Sequence, residues 1–303
     1  MRVTDSMMST SYLRNLARNQ KNVQKYNNQL SSMKEVDKPS DNPLLVSQIM
    51  NTKTEIIENE QYHKTIKDAI DWTHIQDSAL SSATDSLRRI STLIQSAANG
   101  TMNEEDRLAI KAEVESEVYT LTDALNTNYG GRFVFGGTET NTQPFHVTKD
   151  KEGTVTGIAY EGNTDDLFRE ISPGVRVSLK TDGSSFLNKQ SDGEDLGSLL
   201  AKTLQALEEN DTDFLSGELT EKINNEINNV VYIRTEIGAV SNRFESAKSR
   251  NENENLSLKS MLSDKEDIDF AEKYMQFSME KVAYQSSLQM GTKILQTNIL
   301  NYL

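Results

Sequence analysis

Eleven of the fifteen glycines in this 303-residue chain fall between Gly130 and Gly197, and none occurs before Gly100. The four prolines are as unevenly placed: Pro39 and Pro43 sit together, and Pro144 and Pro173 lie in the glycine-rich span. Glycine weakens a helix by about 1 kcal/mol and an internal proline breaks it. The two flanks are therefore free to form long helices, and the middle is where the chain turns.

The flanks carry helical periodicity. A first helix is predicted to about Lys34, then a break over 35-EVDKPSDNP-43, where Pro39 disfavours helix in the residue before it. Asn42 can cap and Pro43 suits the first helical position, so a second helix starts there and runs to about Asn99, stopped by Gly100. Leu80, Ala83, Leu87, Ile90, Ile94 and Ala97 give it a bundle seam at 3-4 spacing. Asn103 with Glu104, Glu105 and Asp106 opens a third helix, with acids at the positive end of its dipole and Val114, Val118, Leu121 and Leu125 as its buried stripe. Past the middle, a short helix near Leu196–Asn210 precedes the longest seam: Val230, Ile233, Ile237, Val240, Phe244 and Ala247, extending to Leu258 and Met261. Ser263 and Glu266 fit a capping box, which would start the last helix there.

Between the flanks the period changes to two. Val175, Val177 and Leu179 alternate with polar residues, Phe133 and Phe135 flank Val134, and Ile158 and Tyr160 flank Ala159. Turn clusters at 149–153, 161–166 and 172–174 predict at least two β-hairpins. The expected fold is mainly α: an elongated antiparallel helical bundle or coiled-coil rod with a small inserted β-hairpin domain. Its expected parts are 1–42 and 264–303 as the two halves of a terminal coiled coil, 43–130 and 195–263 as rod helices, and 131–194 as the β insertion.

The two ends carry the most informative stripes. Leu288, Leu295 and Tyr302 recur every seven residues, with Met290, Ile294, Ile299, Leu300 and Leu303 beside them, and Leu16, Val23 and Leu30 do the same at the other end. Such stripes are partner helices that bury each other or bury neighbouring subunits. The candidate subunit-contact residues are Leu16, Val23, Leu30, Leu288, Leu295, Ile299, Tyr302 and Leu303.

Composition narrows the function. Hydrophobic residues are 35% of the chain, lean for one compact core and ordinary for thin helical bundles. The net charge of −14 argues against nucleic acid as the main partner, although residues 1–34 carry six basic side chains against Asp5 alone. With no cysteine there is no disulfide or thiolate chemistry. No stretch approaches the roughly 20 apolar residues of a membrane span, and residues 1–20 lack the apolar core of a secretory signal. His63, His74 and His146 are scattered rather than clustered as metal ligands are. The run Asn103–Asp106 is explained by a helix start, and Gly130–Gly131 and Gly136–Gly137 flank a strand with no Lys–Ser/Thr pair of a phosphate loop after them. No constellation converges on a reacting atom, so no catalytic, metal or cofactor residue is assigned and no enzyme is predicted.

Four strings carry a family resemblance: the opening MRVTDSMMSTSYLRNLARNQKNVQKYNNQLSSMKEV, 38-KPSDNPLLVSQIM-50, 129-YGGRFVFGGTETNTQPF-145, and the last 42 residues, ending in NYL. They resemble the flagellin superfamily and, within it, the hook–filament junction proteins. Filament flagellins more often carry a RINSAxDDAAG-type segment where this chain has KPSDNPLLV. The likeness is loosest over about 146–195. It implies a structural component of the bacterial flagellum joining hook to filament, needed for filament assembly and motility. The implied location is extracellular, after type III export without a cleaved signal peptide. Implied partners are the other hook-associated junction protein, flagellin, copies of the chain in a ring, and a cytosolic export chaperone on the C-terminal segment; nucleic acid and membrane insertion are not among them. A short filament-forming flagellin is the near alternative. A chemoreceptor-like coiled-coil signalling module is the distant one, disfavoured by the Gly-rich insertion.

Overall fold

The computed structural model describes residues 5–99, 102–150, 153–187 and 195–296. Among the described residues, seven α-helices and six short strands follow in the order α1 (Asp5–Ser32), α2 (Pro43–Ala97), α3 (Glu104–Leu125), β1 (Asn128–Tyr129), β2 (Arg132–Phe133), β3 (Phe145–Lys149), β4 (Val155–Tyr160), β5 (Phe168–Ser172), β6 (Val175–Ser178), α4 (Leu196–Glu209), α5 (Thr212–Ser216), α6 (Glu218–Glu266) and α7 (Phe270–Gln296), with a 3₁₀ turn at Gly183–Leu187. The class is mainly α with small antiparallel hairpins, as the periodicity implied. The chain divides into two compact units, one of Met1–Asn59 with Asn253–Leu303, the other Glu60–Glu252.

The larger unit holds the main hydrophobic core. Leu80, Ala83, Leu87, Ile90, Ile94 and Ala97 of α2 are all buried, as are Val114, Val118, Leu121 and Leu125 of α3 and Val230, Ile233, Ile237, Phe244 and Ala247 of α6. Val240 is half-buried against that core. Helix starts follow the sequence locally: the Asn42 side chain accepts from Leu45 N–H at 3.2 Å, and Asp106 accepts from Asn103 N–H at 3.3 Å. The end of α2 has a partner the sequence did not reveal. The buried Arg107 donates to the Ala97 carbonyl at 3.1 Å and reaches Asn99 O and Asn210 Oδ1, a cation on the negative end of a helix. Gly100, the expected stop, lies outside the described residues.

Three hairpins form rather than a continuous sheet: β1–β2, β3–β4 and β5–β6. Gly130 and Gly131, both at positive φ, make the first turn. The hairpins gather around Phe135, Phe145, Phe186 and Tyr160, with Phe135 and Phe186 edge to face at 5.0 Å. Tyr160 ties three segments: its hydroxyl donates toward Asn163 O at 2.8 Å and Phe135 O at 3.2 Å, and accepts from Gly183 N–H. Burial is the main cause raising its pKa to about 12. Gly157, at φ +136°, lets β4 press on α4, and a Cβ there would stand 2.6 Å from the Gly197 carbonyl oxygen.

Three expectations are corrected. Val175 is exposed, because it sits at the turn after Gly174, while Val177 and Leu179 are buried. The α6 seam does not reach Met261, which is exposed, and Leu258 is half-buried. Ser263 and Glu266 do not start the last helix: α6 continues through Glu266, and α7 begins at Phe270, where the Asp269 carboxylate accepts from Ala271 N–H at 2.9 Å and Glu272 N–H at 3.2 Å. Two nearby sequences could each cap a helix; Glu266 is held instead by two lysines, which leaves Asp269 as the cap.

Candidate assembly surface

In the smaller unit α1 and α7 lie against each other. Tyr12 donates to Ser287 O at 2.9 Å, Asn19 to Ser287 Oγ at 2.9 Å, Asn22 to Glu280 at 3.2 Å, and Lys273 pairs with Glu35 at 2.9 Å. Rising numbers on one helix meet falling numbers on the other, so the pair is antiparallel. The α1 seam reads Tyr12, Leu16, Asn19, Val23, Tyr26, Leu30, steps of four and three, and every one of these side chains is half-buried. The α7 seam reads Lys273, Phe277, Glu280, Tyr284, Ser287, Gly291 with the same steps.

Leu16, Val23 and Leu30 thus lie on the face of α1 that meets α7. Leu288 lies one residue beside the α7 seam and remains 42% exposed. Leu295 falls in the last turns of α7, and Ile299, Tyr302 and Leu303 lie outside the described residues. Of the Leu288, Leu295, Tyr302 stripe, only the Leu288 side chain is among the described residues, and it lies beside the line of contact with α1. On α7 the residues that make the contact are polar, aromatic or small, so a count of apolar spacings passed over them. The isolated Gly291, buried within a helix, is the signal that could have found them.

The joint between α6 and α7 is pinned to the segment after α1. Glu35 N–H donates to Glu266 O at 2.8 Å, and Lys34 forms an antiparallel bridge with Asp267. The Glu266 carboxylate takes Lys34 at 2.6 Å and Lys53 at 2.8 Å. Burial alone would raise its pKa, but the hydrogen bonds from Lys34 and Lys53 outweigh that and hold it below the ordinary carboxylate value.

A two-helix pair buries one face of each helix, and the faces left over differ. At about 100° per residue, Arg14, Arg18, Lys21 and Lys25 line the side of α1 away from its seam, and all four are exposed. On α7, Met275, Met279, Val282 and Met290 cluster within about 80° of arc, about 140° round from the seam. They are 58%, 67%, 61% and 66% exposed. Phe270 and Tyr274 stack, also exposed, at the helix start. A helix that packs along one side and carries an exposed apolar face on another is built for more than one neighbour. No described helix is long and apolar enough to cross a membrane, and no cluster of three or more His, Asp or Glu suited to a metal occurs among the described residues.

Helical N- and C-terminal segments enclosing an insertion define a recognisable class. The bacterial flagellin N-terminal helical region matches residues 3–140, and the flagellin C-terminal helical region matches residues 220–303. The chain belongs to the bacterial flagellin family and is a structural protein of the flagellum. Flagellar hook-associated protein 3 of Escherichia coli K12 is 26% identical over 313 aligned residues, covering 96% of each chain. A flagellin of Listeria innocua is 28% identical over 302, covering 98% of this chain and 96% of its own. The crystal structure of flagellar hook-associated protein 3 from Legionella pneumophila superposes with a TM-score of 0.62 at 16% identity, covering 71% of this chain and 98% of its own.

Proposed function

We propose that this chain is a hook–filament junction subunit, set between the other hook-associated junction protein and flagellin, with copies of itself arranged in a ring. The observation that carries the reading is the methionine-rich face of α7 left bare by the α1–α7 pair. Its occupant is the terminal helix of a neighbouring flagellar subunit, which has the same two-ended helical design. Burying apolar surface contributes about 25 cal/mol per Å², set against about 1–2 kcal/mol of ordering per residue. One helix pair alone gains little from that balance, and a ring of neighbours gains much more, so assembly and terminal ordering are coupled. Residues Leu16, Val23, Leu30, Leu288, Leu295, Ile299, Tyr302 and Leu303 belong to that terminal layer. The same reading places the protein outside the cell after export without a cleaved signal, accompanied before export by a chaperone on its C-terminal segment, and gives it no catalytic role.

The deciding experiment is a gene knockout scored for flagellin in the medium. Bare hooks and shed flagellin support a junction subunit; normal filaments on the knockout overturn it. The likeness to the Listeria innocua flagellin favours a second reading, a short filament-forming flagellin. Electron microscopy of the purified chain separates the two, since long self-assembled filaments would select the second.

A further inference from the structure

Methionine is distributed as unevenly as glycine. Nine of the ten methionines fall within Met1–Asn59 and Asn253–Leu303, the smaller unit, and Met102 alone lies in the larger one. Met7, Met8, Met33, Met50, Met261, Met275, Met279 and Met290 are all exposed, whereas Met102 packs against the core. With no cysteine in the chain, these thioethers are its only sulfur. Leucine would serve a purely apolar contact equally well. Methionine adds polarizability and an adaptable shape, and with them sensitivity to oxidation.

We propose that Met275, Met279 and Met290 form an oxidation site that switches off assembly of the free subunit, and that incorporation protects them. The inference rests on the junction reading above, because it takes the face they share as the one a neighbour covers. The oxidant class is a hydroperoxide. A lone pair on the thioether sulfur attacks the terminal peroxide oxygen, the O–O bond breaks and an S–O bond forms. The sulfur is oxidised by two electrons, the peroxide is reduced, and the proton passes to the departing oxygen, which leaves as water or alcohol. Each event places a strongly polar S–O group on the shared face, where burial against an apolar neighbour would strip it of water. None of the three side chains lies on the seam with α1, so the α1–α7 pair itself survives the change. Thiol-dependent methionine sulfoxide reductases restore the thioether.

The test uses the full-length chain, with and without hydrogen peroxide, mixed with flagellar stubs sheared from a strain lacking the gene. Peptide mass spectrometry should show Met275, Met279 and Met290 gaining oxygen before Met102. Circular dichroism should keep its helical signal, and binding to stubs should be lost. Reductase treatment should restore wild-type binding, and the M275L/M279L/M290L chain, compared with its own untreated sample whatever its affinity, should lose no binding to peroxide. Undiminished binding by the oxidised wild type overturns the switch while leaving the junction reading intact. Loss of binding by the peroxide-treated triple variant equal to that of wild type overturns the assignment to these three residues. Failure of the untreated wild type to bind stubs overturns both.

Discussion

Tyr12 occupies the space that a side chain at position 291 would need: a Cβ added to Gly291 would overlap the Tyr12 hydroxyl and ring. The same hydroxyl donates to the Ser287 carbonyl one turn earlier on α7, at 2.9 Å. One aromatic side chain thereby sets how close the two terminal helices come and in which register.

Gly291→Ala brings two opposing effects. Alanine favours the helix over glycine by about 1 kcal/mol, while overfilling a packed contact costs about 1–3 kcal/mol. The expected outcome is faster amide exchange in α1 and α7 in the wild-type background. In a Tyr12→Ala background the sign should reverse, with Gly291→Ala stabilising by about 1 kcal/mol. Hydrogen exchange followed by mass spectrometry across the four-member cycle checks this, and additive effects would refute the contact.

Glu266 makes the α6–α7 joint sensitive to acid. Its carboxyl titrates below the ordinary carboxylate value when folded, so the stability it supplies is fully present above that ordinary value. As pH falls through the depressed folded value, the carboxylate is protonated and that contribution is lost. Lys34 and Lys53 are 49% and 42% exposed, which limits the effect to about 0.5 kcal/mol. Thermal unfolding of wild type and Glu266→Gln should differ at pH 7 and draw together as the pH falls through the depressed folded value, and a constant difference throughout the acid range would contradict the assignment.

Gly157 and Gly174 separate close approach from backbone strain. Both have positive φ, but only Gly157 has another backbone against it, that of Gly197, while Gly174 faces open space. Gly174→Ala should cost about 1 kcal/mol from conformation alone. Gly157→Ala should cost on the order of 2 kcal/mol or more, because β4 must move off α4. Denaturant unfolding of the two variants checks the ranking, and equal losses would show that the backbone contact contributes nothing.

Removal of Leu288–Leu303 takes away Gly291 and Met290, hence both the slot for Tyr12 and one end of the bare apolar face. Unfolding of the Glu60–Glu252 unit should keep its midpoint, since its core residues lie elsewhere. Incorporation into flagella should be abolished. Wild-type motility from the truncated gene would contradict the role given to this end.

Much of the helical framework was legible because its rules are local or periodic. The Asn42–Pro43 start, the Asn103 start and the 3-4 seams of α2, α3 and α6 need only neighbours in sequence to be recognised. The surrogate cap of Arg107 on the end of α2, ten residues before it, and the hydroxyl of Tyr160 joining three segments follow no helical or strand period, and no spacing announces them. The choice between Ser263 and Asp269 as the start of α7 was also closed to local reading: both sequences can cap, and Lys34 and Lys53, more than 200 residues away, withdrew Glu266 from the first.

The sequence by itself determined that the two ends are helical, striped for partners and separated by a turn-rich insertion, because glycine, proline and apolar period act through the backbone of the segment that holds them. Only the tertiary structure decided that those ends meet, and by which faces. A helix with apolar residues on several sides can be rotated onto any of them, and the fit of Tyr12 against Gly291, with the polar bonds of Ser287 and Glu280, selects one. That rotation leaves Leu288 at the edge and turns Met275, Met279 and Met290 outward.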